Sequence, residues 1–351
     1  MKNFNLAVLV ISTSLVSMNA LCAPVAISKF VGASAAGYLE GKGVGAKFYY
    51  PEGIAIDGSG NFYIADQYNN RIRKVTLLDG VTSTLAGDGT IGSIDGVGPA
   101  AKFHWPTGVA VDVAGNVYTA GYADNKIRKI SPDGLVTTLI TIVDKDNPMA
   151  GPWSLAVDVN LNIYFTVFGS NIYSHRVWKL SQSGSLTLLA GSATYGFQDG
   201  IGSSAKFFSP CGLAVDSGGN VYVADLYNHR VRKISPGGVV TTLAGTGLNG
   251  NVDGTAASAS FSQPISVAVD GVGNVFVGEG YSDVATNRVR KITPSGVVST
   301  VVGPQYIDAS TGLVGTFRTP RFLAVGPDGG LYISDSFKQV IFKVDGVANF
   351  N

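Results

Sequence analysis

One sequence unit recurs six times along this chain, and the repetition constrains the fold more than any other feature. Each copy contains a short apolar run, a tight turn of the Asp-x-x-Gly-Asn kind, a run of β-branched and aromatic residues, a polar loop, and a run ending in Arg-Lys-Ile or a relative of it. A turn then leads to a further apolar run such as VTSTLAG or VVTTLAG. Four short strands in a period of about 50 residues are typical of one blade of a β-propeller. The units begin at Gly53, Gly108, Ser154, Gly212, Ser266 and Phe322.

The two ends of the chain predict how the ring closes. After the sixth unit the sequence reaches Asn351 without a fourth strand, whereas the stretch 27–32 near the amino end has the missing strand pattern. We therefore expect the N-terminal strand to complete the last blade, which removes the exposed edges of an open stack. The prediction is an all-β, six-bladed propeller with four antiparallel strands per blade, formed by residues 24–351 as a single domain.

The amino-acid composition narrows both the fold class and the possible binding partners. Of 351 residues, 46 are Gly and only 14% are charged, against about 25% in an average domain, which favours a turn-rich β protein over a helical bundle. The formal net charge of +1 argues against nucleic acid as the main partner, because phosphate binding needs an excess of Lys and Arg.

Residues 1–23 have the pattern of a secretory signal peptide. Lys2 is followed by an apolar or hydroxylic run from Leu6 to Val16 and then by small residues, too short to span a bilayer comfortably. Export to the periplasm, the cell surface or the medium is expected, with no transmembrane segment. Lipid modification of Cys22 is an alternative, although Leu21 is bulky where lipoprotein signals place a small residue. With the signal removed, Cys211 has no partner for an intrachain disulfide.

The units resemble the NHL repeat family. The resemblance is carried by Asp57, the stretch 61–66, and the Asn69-Asn70-Arg71-Ile72 segment with its counterparts, and it covers residues 26–345. It implies a propeller fold. It leaves the function open, because the family includes protein-interaction domains, RNA-binding domains, extracellular sensor domains and at least one lyase.

Three repeated patterns are interpreted as parts of the fold rather than as ligand sites. The G-x-G-x-x-G stretches 87–92 and 245–250 lead into strands rather than helices, so we interpret them as turns. The aspartates opening the tight turns are expected to bond the backbone two residues on; they are Asp57, Asp112, Asp158, Asp216 and Asp270. The Arg-x-Arg-Lys runs at Arg71, Arg230 and Arg288, with a variant at Lys126, are interpreted as solvated strand faces.

Propeller geometry predicts where a ligand would bind. The loops joining strands two and three, and the connections between blades, should lie on one face, and variable loops on a rigid scaffold are where binding usually occurs. The residues following the linker prolines belong to this face, and Glu52 and Arg321 should meet at the channel mouth, either as a site or as a structural ion pair. Aromatic side chains with a polar group suit both protein and sugar contacts. The predicted ligand-binding residues are Glu52, Trp105, Trp153, Tyr173, Tyr227, Tyr281 and Arg321.

Two function classes follow. The first is a non-enzymatic, monomeric binding module without a cofactor, which recognises a protein, peptide or glycan across the loop-rich face. The alternative is a metal-dependent hydrolase or lyase with a divalent cation in the central channel, which would need several His or carboxylate ligands to converge. The three histidines, His104, His175 and His229, are too dispersed in the repeats to predict such a set.

Overall fold

The computed structural model describes residues 26–143, 151–168, 174–280 and 287–347. Thirty strands within these ranges form six sheets, and five single-turn 3-10 helices are the helical elements described. The signal-peptide prediction for residues 1–23, Cys22, and the predicted site residues Tyr173 and Tyr281 lie outside the described residues.

The strands are numbered in chain order and fall into blades one to six. Strand β1 is Ala26–Val31. Blade one contains β2 (Gly41–Lys42), β3 (Pro51–Ile56), β4 (Asn61–Asp66), β5 (Arg71–Thr76) and β6 (Val81–Ala86). Blade two contains β7 (Gly96–Val97), β8 (Pro106–Val111), β9 (Val117–Gly121), β10 (Lys126–Ile130) and β11 (Leu135–Thr141). Blade three contains β12 (Pro152–Val157), β13 (Ile163–Val167), β14 (Arg176–Leu180) and β15 (Leu186–Gly191).

The second half of the ring repeats this order. Blade four contains β16 (Gly200–Ile201), β17 (Pro210–Val215), β18 (Val221–Asp225), β19 (Arg230–Ile234) and β20 (Val239–Ala244). Blade five contains β21 (Gly254–Thr255), β22 (Pro264–Val269), β23 (Val275–Glu279), β24 (Arg288–Ile292) and β25 (Val297–Val302). Blade six contains β26 (Gln305–Asp308), β27 (Val314–Thr316), β28 (Pro320–Val325), β29 (Leu331–Asp335) and β30 (Val340–Val344). The 3-10 helices are Gly43–Gly45, Gln67–Asn69, Gly98–Ala100, Gly202–Ser204 and Leu226–Asn228.

The N-terminal strand completes the last blade, as predicted. Strand β1 pairs antiparallel with β30, with Ser28 opposite Lys343, so the sheet order is β27-β26-β1-β30-β29-β28. The β26–β27 hairpin adds to the outside of β1 through a short parallel pairing of Ala26 with Ile307. This hairpin was not predicted from the repeats, and it protects the outer edge of the closing blade.

The linkers between blades take a longer path than predicted. In blades one, two, four and five the incoming linker first adds a two-residue strand to the outer edge, as β2 does beside β6. It then returns to the end of the blade where strands two and three are joined, and there the two connections are hydrogen bonded. The N–H of Tyr68, for example, donates to the Tyr49 carbonyl at 3.0 Å. The connections therefore meet on one face only at their final residues.

Close packing of the innermost strands explains why five of the six units begin with Gly or Ser. A Cβ atom on Gly108 would lie 2.8 Å from the Trp153 carbonyl oxygen, and one on Gly212 would lie 2.6 Å from the Cα of Ser266. In blade three Ser154 occupies the equivalent position, and its Oγ accepts a hydrogen bond from the Leu213 N–H at 3.2 Å. Neighbouring strands thus touch backbone to backbone around the channel.

The turn prediction for the repeated aspartates is confirmed. Oδ1 of Asp57 accepts hydrogen bonds from the N–H groups of Ser59 and Asn61, both at 2.9 Å, and Oδ2 accepts one from the Tyr63 hydroxyl at 3.0 Å. The contact two residues on recurs at Asp112, Asp158 and Asp270. The contact four residues on recurs at these three and at Asp216.

The prediction for the Arg-x-Arg-Lys runs was wrong at the second arginine of each run. Those side chains are fully buried, and each pairs with a carboxylate of the same blade. The pairs are Arg73–Asp66 at 2.8 Å, Arg232–Asp225 at 2.8 Å, Arg290–Glu279 at 3.3 Å, and Arg128 with Asp124. Each arginine also donates to a carbonyl of the linker entering its blade, as Arg232 does to Lys206 at 3.1 Å. The missed signal was the acid that ends strand two in blades one, four and five, and Asp124 in the loop after β9 of blade two, because it supplies a buried counter-charge.

Candidate ligand-binding face

The structure brings Glu52 and Arg321 together across the junction of blades six and one. Nε of Arg321 lies 3.1 Å from Oε1 and 3.3 Å from Oε2 of Glu52. Glu52 is fully buried, and the Arg321 side chain is 11% exposed. Burial raises the pKa of Glu52, and the Arg321 guanidinium opposes that change. Both residues are the second residue of an innermost strand, which is why their side chains meet.

Trp153 completes this contact from the opposite side of the channel mouth. The Arg321 guanidinium lies 5.0 Å from the centre of the Trp153 ring, a cation–π distance. The Trp153 ring in turn packs on Tyr122 and Phe168, with centroids 5.6 Å and 5.2 Å away. Three of the predicted site residues, Glu52, Trp153 and Arg321, therefore form one buried cluster. Deeper in the channel lies a cavity of about 200 Å³ lined mainly by aliphatic residues of the inner strands, such as Ile54 and Leu155.

Cys211 and Thr107, at the same level of the channel, make contacts that stabilise the fold. Cys211 is buried beside Leu226 and Ile265, and burial raises the pKa of its thiol to about 12, so the reactive thiolate is disfavoured at neutral pH. The Thr107 hydroxyl makes hydrogen bonds of 3.3 Å to the carbonyls of Ala120 and Pro152.

Trp105 lies at one end of a continuous series of aromatic rings on the loop-rich face. We call Phe337, Tyr50, Tyr68 and Trp105 the aromatic row. Its successive centroid distances are 5.0, 4.9 and 5.9 Å, and it crosses blades six, one and two. Tyr68 is 40% exposed and Phe337 is 49% exposed. Trp105 was predicted from the sequence as a ligand-binding residue. Tyr50 and Phe337 were not, because they come from a linker and a loop that share no common position in the repeat.

Tyr227 belongs to a second group of rings on blades three and four. Phe208 lies between Tyr195 and Tyr227, with centroid distances of 4.5 Å and 5.0 Å, and Tyr195 is 64% exposed. His175 packs on the same group, 5.8 Å from Tyr195. This second aromatic cluster again joins a linker to a loop between strands two and three.

Two histidines take structural positions between blades. Nδ1 of His175 accepts a hydrogen bond from the Ser209 N–H at 3.1 Å, and Nδ1 of His229 accepts one from the Gln263 N–H at 3.2 Å. Burial, with a neighbouring Arg in each case, lowers the pKa of both imidazoles. Among the described residues, no group of three or more His, Cys, Asp or Glu side chains is placed to hold a metal ion. In the same residues no helix has the length and apolar character that a membrane span requires.

The ring of six sheets with a buried channel and aromatic loops on one face defines a six-bladed β-propeller. The family model described as NHL repeat matches residues 48–75 and 209–234. The chain is an NHL-repeat β-propeller, and this agreement of sequence repeats and sheet order confirms the resemblance found in the sequence.

Two curated relatives match more than two thirds of the chain. The protein SUPPRESSOR OF QUENCHING 1, chloroplastic, of Arabidopsis thaliana is 28% identical over 69% of this chain and 25% of its own length. NHL repeat-containing protein 2 of Bos taurus is 25% identical over 84% of this chain and 46% of its own length. The chain thus spans less than half the length of either relative.

Solved structures share the fold. A structural genomics protein of unknown function from Bacteroides thetaiotaomicron superposes with a TM-score of 0.68 at 23% identity, covering 90% of this chain and 74% of the other. A gluconolactonase from Xanthomonas campestris superposes with a TM-score of 0.59 at 16% identity, covering 92% and 94%. At these identities the likeness concerns the fold alone.

Proposed function

We propose that this propeller is an exported, non-enzymatic binding module that recognises a protein, peptide or glycan across its loop-rich face and acts as a monomer. The observation that carries the proposal is the aromatic row, whose rings are contributed by three blades and are partly exposed although they contact one another. Rigid rings give a large contact area at a small cost in conformational entropy, which favours recognition at such a surface.

The hydroxyl groups of the row add to this argument. Tyr68, Tyr50 and the adjacent Tyr49, which lies 5.1 Å from Tyr68, combine an apolar ring with a polar group. Such side chains suit both the stacking of sugar rings and the anchoring of a polypeptide. Cys211, Leu226 and Ile265 beside the channel mouth, by contrast, are already buried by the protein itself.

The alternative function is a metal-dependent hydrolase or lyase at the channel mouth. Its support is the fold shared with the gluconolactonase, and a fold hosts many unrelated activities. Elemental analysis of the purified protein distinguishes the two proposals, because a stoichiometric divalent metal would favour the enzyme.

The binding proposal is tested with a printed oligosaccharide array and a random-peptide display library. Ligands selected by the unmodified protein are compared with Tyr68→Ala, from which we expect affinity about ten-fold lower or worse. Leu78→Ala is the matched control, since Leu78 is a highly exposed apolar residue in a turn between strands three and four, away from the row. Equal binding by both variants, or the absence of any selected ligand, would contradict the proposal.

A further inference from the structure

A cavity lies where the β26–β27 hairpin folds over the junction between β1 and blade six. Its volume is about 450 Å³, within the range of small-molecule sites. The walls come from the N-terminal strand, the hairpin, the linker before β28 and the loop after β29. The hairpin, which has no counterpart in the other five sheets of the described residues, therefore supplies one wall of this cavity.

Positive charge converges on this cavity. Lys29, Arg318 and Lys338 line it, against Asp308 as the carboxylate in the wall. Asp308 lies 3.5 Å from Nζ of Lys29, so that one cation is largely compensated. Nζ of Lys338 lies 3.4 Å from the Tyr306 hydroxyl, and this contact brings no negative charge.

The carboxylate of Asp335, close to the cavity, is already occupied by hydrogen bonds from the backbone. Asp335 accepts hydrogen bonds from the backbone N–H groups of residues 318, 319 and 338, the first at 2.7 Å. Burial lowers the pKa of Lys338, the charges of Asp335 and Asp308 oppose that change, and the cations Lys29 and Arg318 reinforce it. An anion in the cavity would relieve this mutual repulsion.

The other part of the wall is apolar. Leu313, Val314, Phe337 and Phe342 also line the cavity and supply this apolar surface. The Arg318 guanidinium lies 5.9 Å from the centre of the Phe337 ring, which places a cation at the border between the two parts. A ligand that satisfies both parts needs an anionic group attached to an apolar body.

We infer that this cavity binds a small organic carboxylate with an apolar or aromatic body, held by Lys338 and Arg318 at its charged end and by the hairpin and Phe337 at the other. A carboxylate matches the planar donor set of a guanidinium and the ammonium of Lys338. The apolar wall favours an organic acid over a free inorganic ion, whose whole surface is hydrated. The inference stands apart from the proposed function, although Phe337 belongs to both surfaces.

The test is calorimetric titration of the full chain with phenylacetate, with the neutral phenylacetamide and with inorganic phosphate as comparisons. We expect phenylacetate to bind about ten-fold more tightly than either comparison. Lys338→Met, which keeps the length of the side chain and removes its charge, should weaken phenylacetate binding about ten-fold. Lys42→Met, at an exposed site on β2, should leave binding unchanged, and circular dichroism checks that both variants are folded.

Each other outcome overturns the inference. Equal affinity for phenylacetate and phenylacetamide would show that the negative charge does not contribute to binding. Tighter binding of phosphate would show that the apolar wall does not contribute. Unchanged binding by Lys338→Met, or no binding of phenylacetate at millimolar concentration, would remove the site itself. Tyr68→Ala should not alter phenylacetate binding, so a failure here is distinct from a failure of the proposed function.

Discussion

The side-chain Oε1 of Gln339 in blade six accepts a hydrogen bond from the backbone N–H of Tyr50 in the linker entering blade one, at 2.5 Å. The same contact joins other neighbouring blades, with Asn70 bonding Trp105 and the two histidines bonding residues 209 and 263. The accepting residue always has a positive φ, between 49° and 62°, at the start of strand three. The blades at the closure of the ring are therefore joined by the same side-chain to backbone hydrogen bond that joins consecutive blades.

Replacing the two histidines with asparagine should remove an acid sensitivity of the fold. Because both imidazole pKa values are lowered, the unfolded chain binds these protons first as the pH falls, so stability is lost below about pH 6.5. His175→Asn/His229→Asn keeps an acceptor and the left-handed backbone, as Asn70 does. Urea unfolding at pH 7.5 and pH 5 should show a smaller loss in the variant than in the parent.

His229→Ala is the control for the bond itself. It removes the acceptor and leaves a non-Gly residue at a φ of 52°, so we expect a loss of about 1–2 kcal/mol already at pH 7.5. An unchanged pH dependence in the double asparagine variant would show that other groups cause the acid sensitivity.

Much of the fold could be predicted because the repeat encodes local structure. Asp57 and its counterparts form turns by contacts within six residues, and the pattern of Ile27 matched a missing strand, so turns, blade number and closure followed from the sequence. The hairpin could not be read from the repeat because it occurs once. Its signal was the β-rich stretch 305–308 followed by 314–316, with Gly312 at a φ of 70° between them.

The site was less predictable because its contacts join distant parts of the chain. Glu52 and Arg321 were paired by ring geometry alone, a step that needs only the blade order. The row residues Tyr50 and Phe337 meet through a linker and a loop that no periodicity relates. Burial of Arg232 depended on a partner in another strand, so the charge pattern within its own strand was misleading.

Deleting residues 24–36 should strongly destabilise the protein. In the sheet, β1 lies between β30 and the β26–β27 hairpin. Its deletion therefore exposes the edges of both. A chain beginning at residue 24 is the matched control. Thermal unfolding should show a midpoint many degrees lower for the deletion, and equal midpoints for the two chains would contradict closure by β1.

Breaking the buried ion pair of blade four should cost more than replacing it. Arg232→Met leaves Asp225 uncompensated in a fully buried site, which typically costs about 3–5 kcal/mol. In blade three Val167 and Trp178 occupy the equivalent positions without charges. Asp225→Val/Arg232→Met should therefore be less destabilised than the sum of its single variants.

Denaturant unfolding of the parent, both single variants and the double variant measures this coupling as a double-mutant cycle. Some loss will remain in the double variant, because Asp225 also accepts hydrogen bonds from the Phe208 N–H and Asn228. Strict additivity of the two single effects would contradict a direct energetic coupling of the pair.

Removing Arg321 should make stability depend on pH through Glu52. In Arg321→Met the buried carboxyl loses the guanidinium that opposes the effect of burial, so its pKa should rise further. A raised carboxyl pKa contributes stability below the pKa of the unfolded chain and loses it as pH rises through the folded value. The variant should therefore be more destabilised at pH 8 than at pH 5. Glu52→Gln/Arg321→Met, which has no titrating group at this position, should lose the same stability at both values, and a parallel pH profile for the two variants would place the cause outside the Glu52–Arg321 pair.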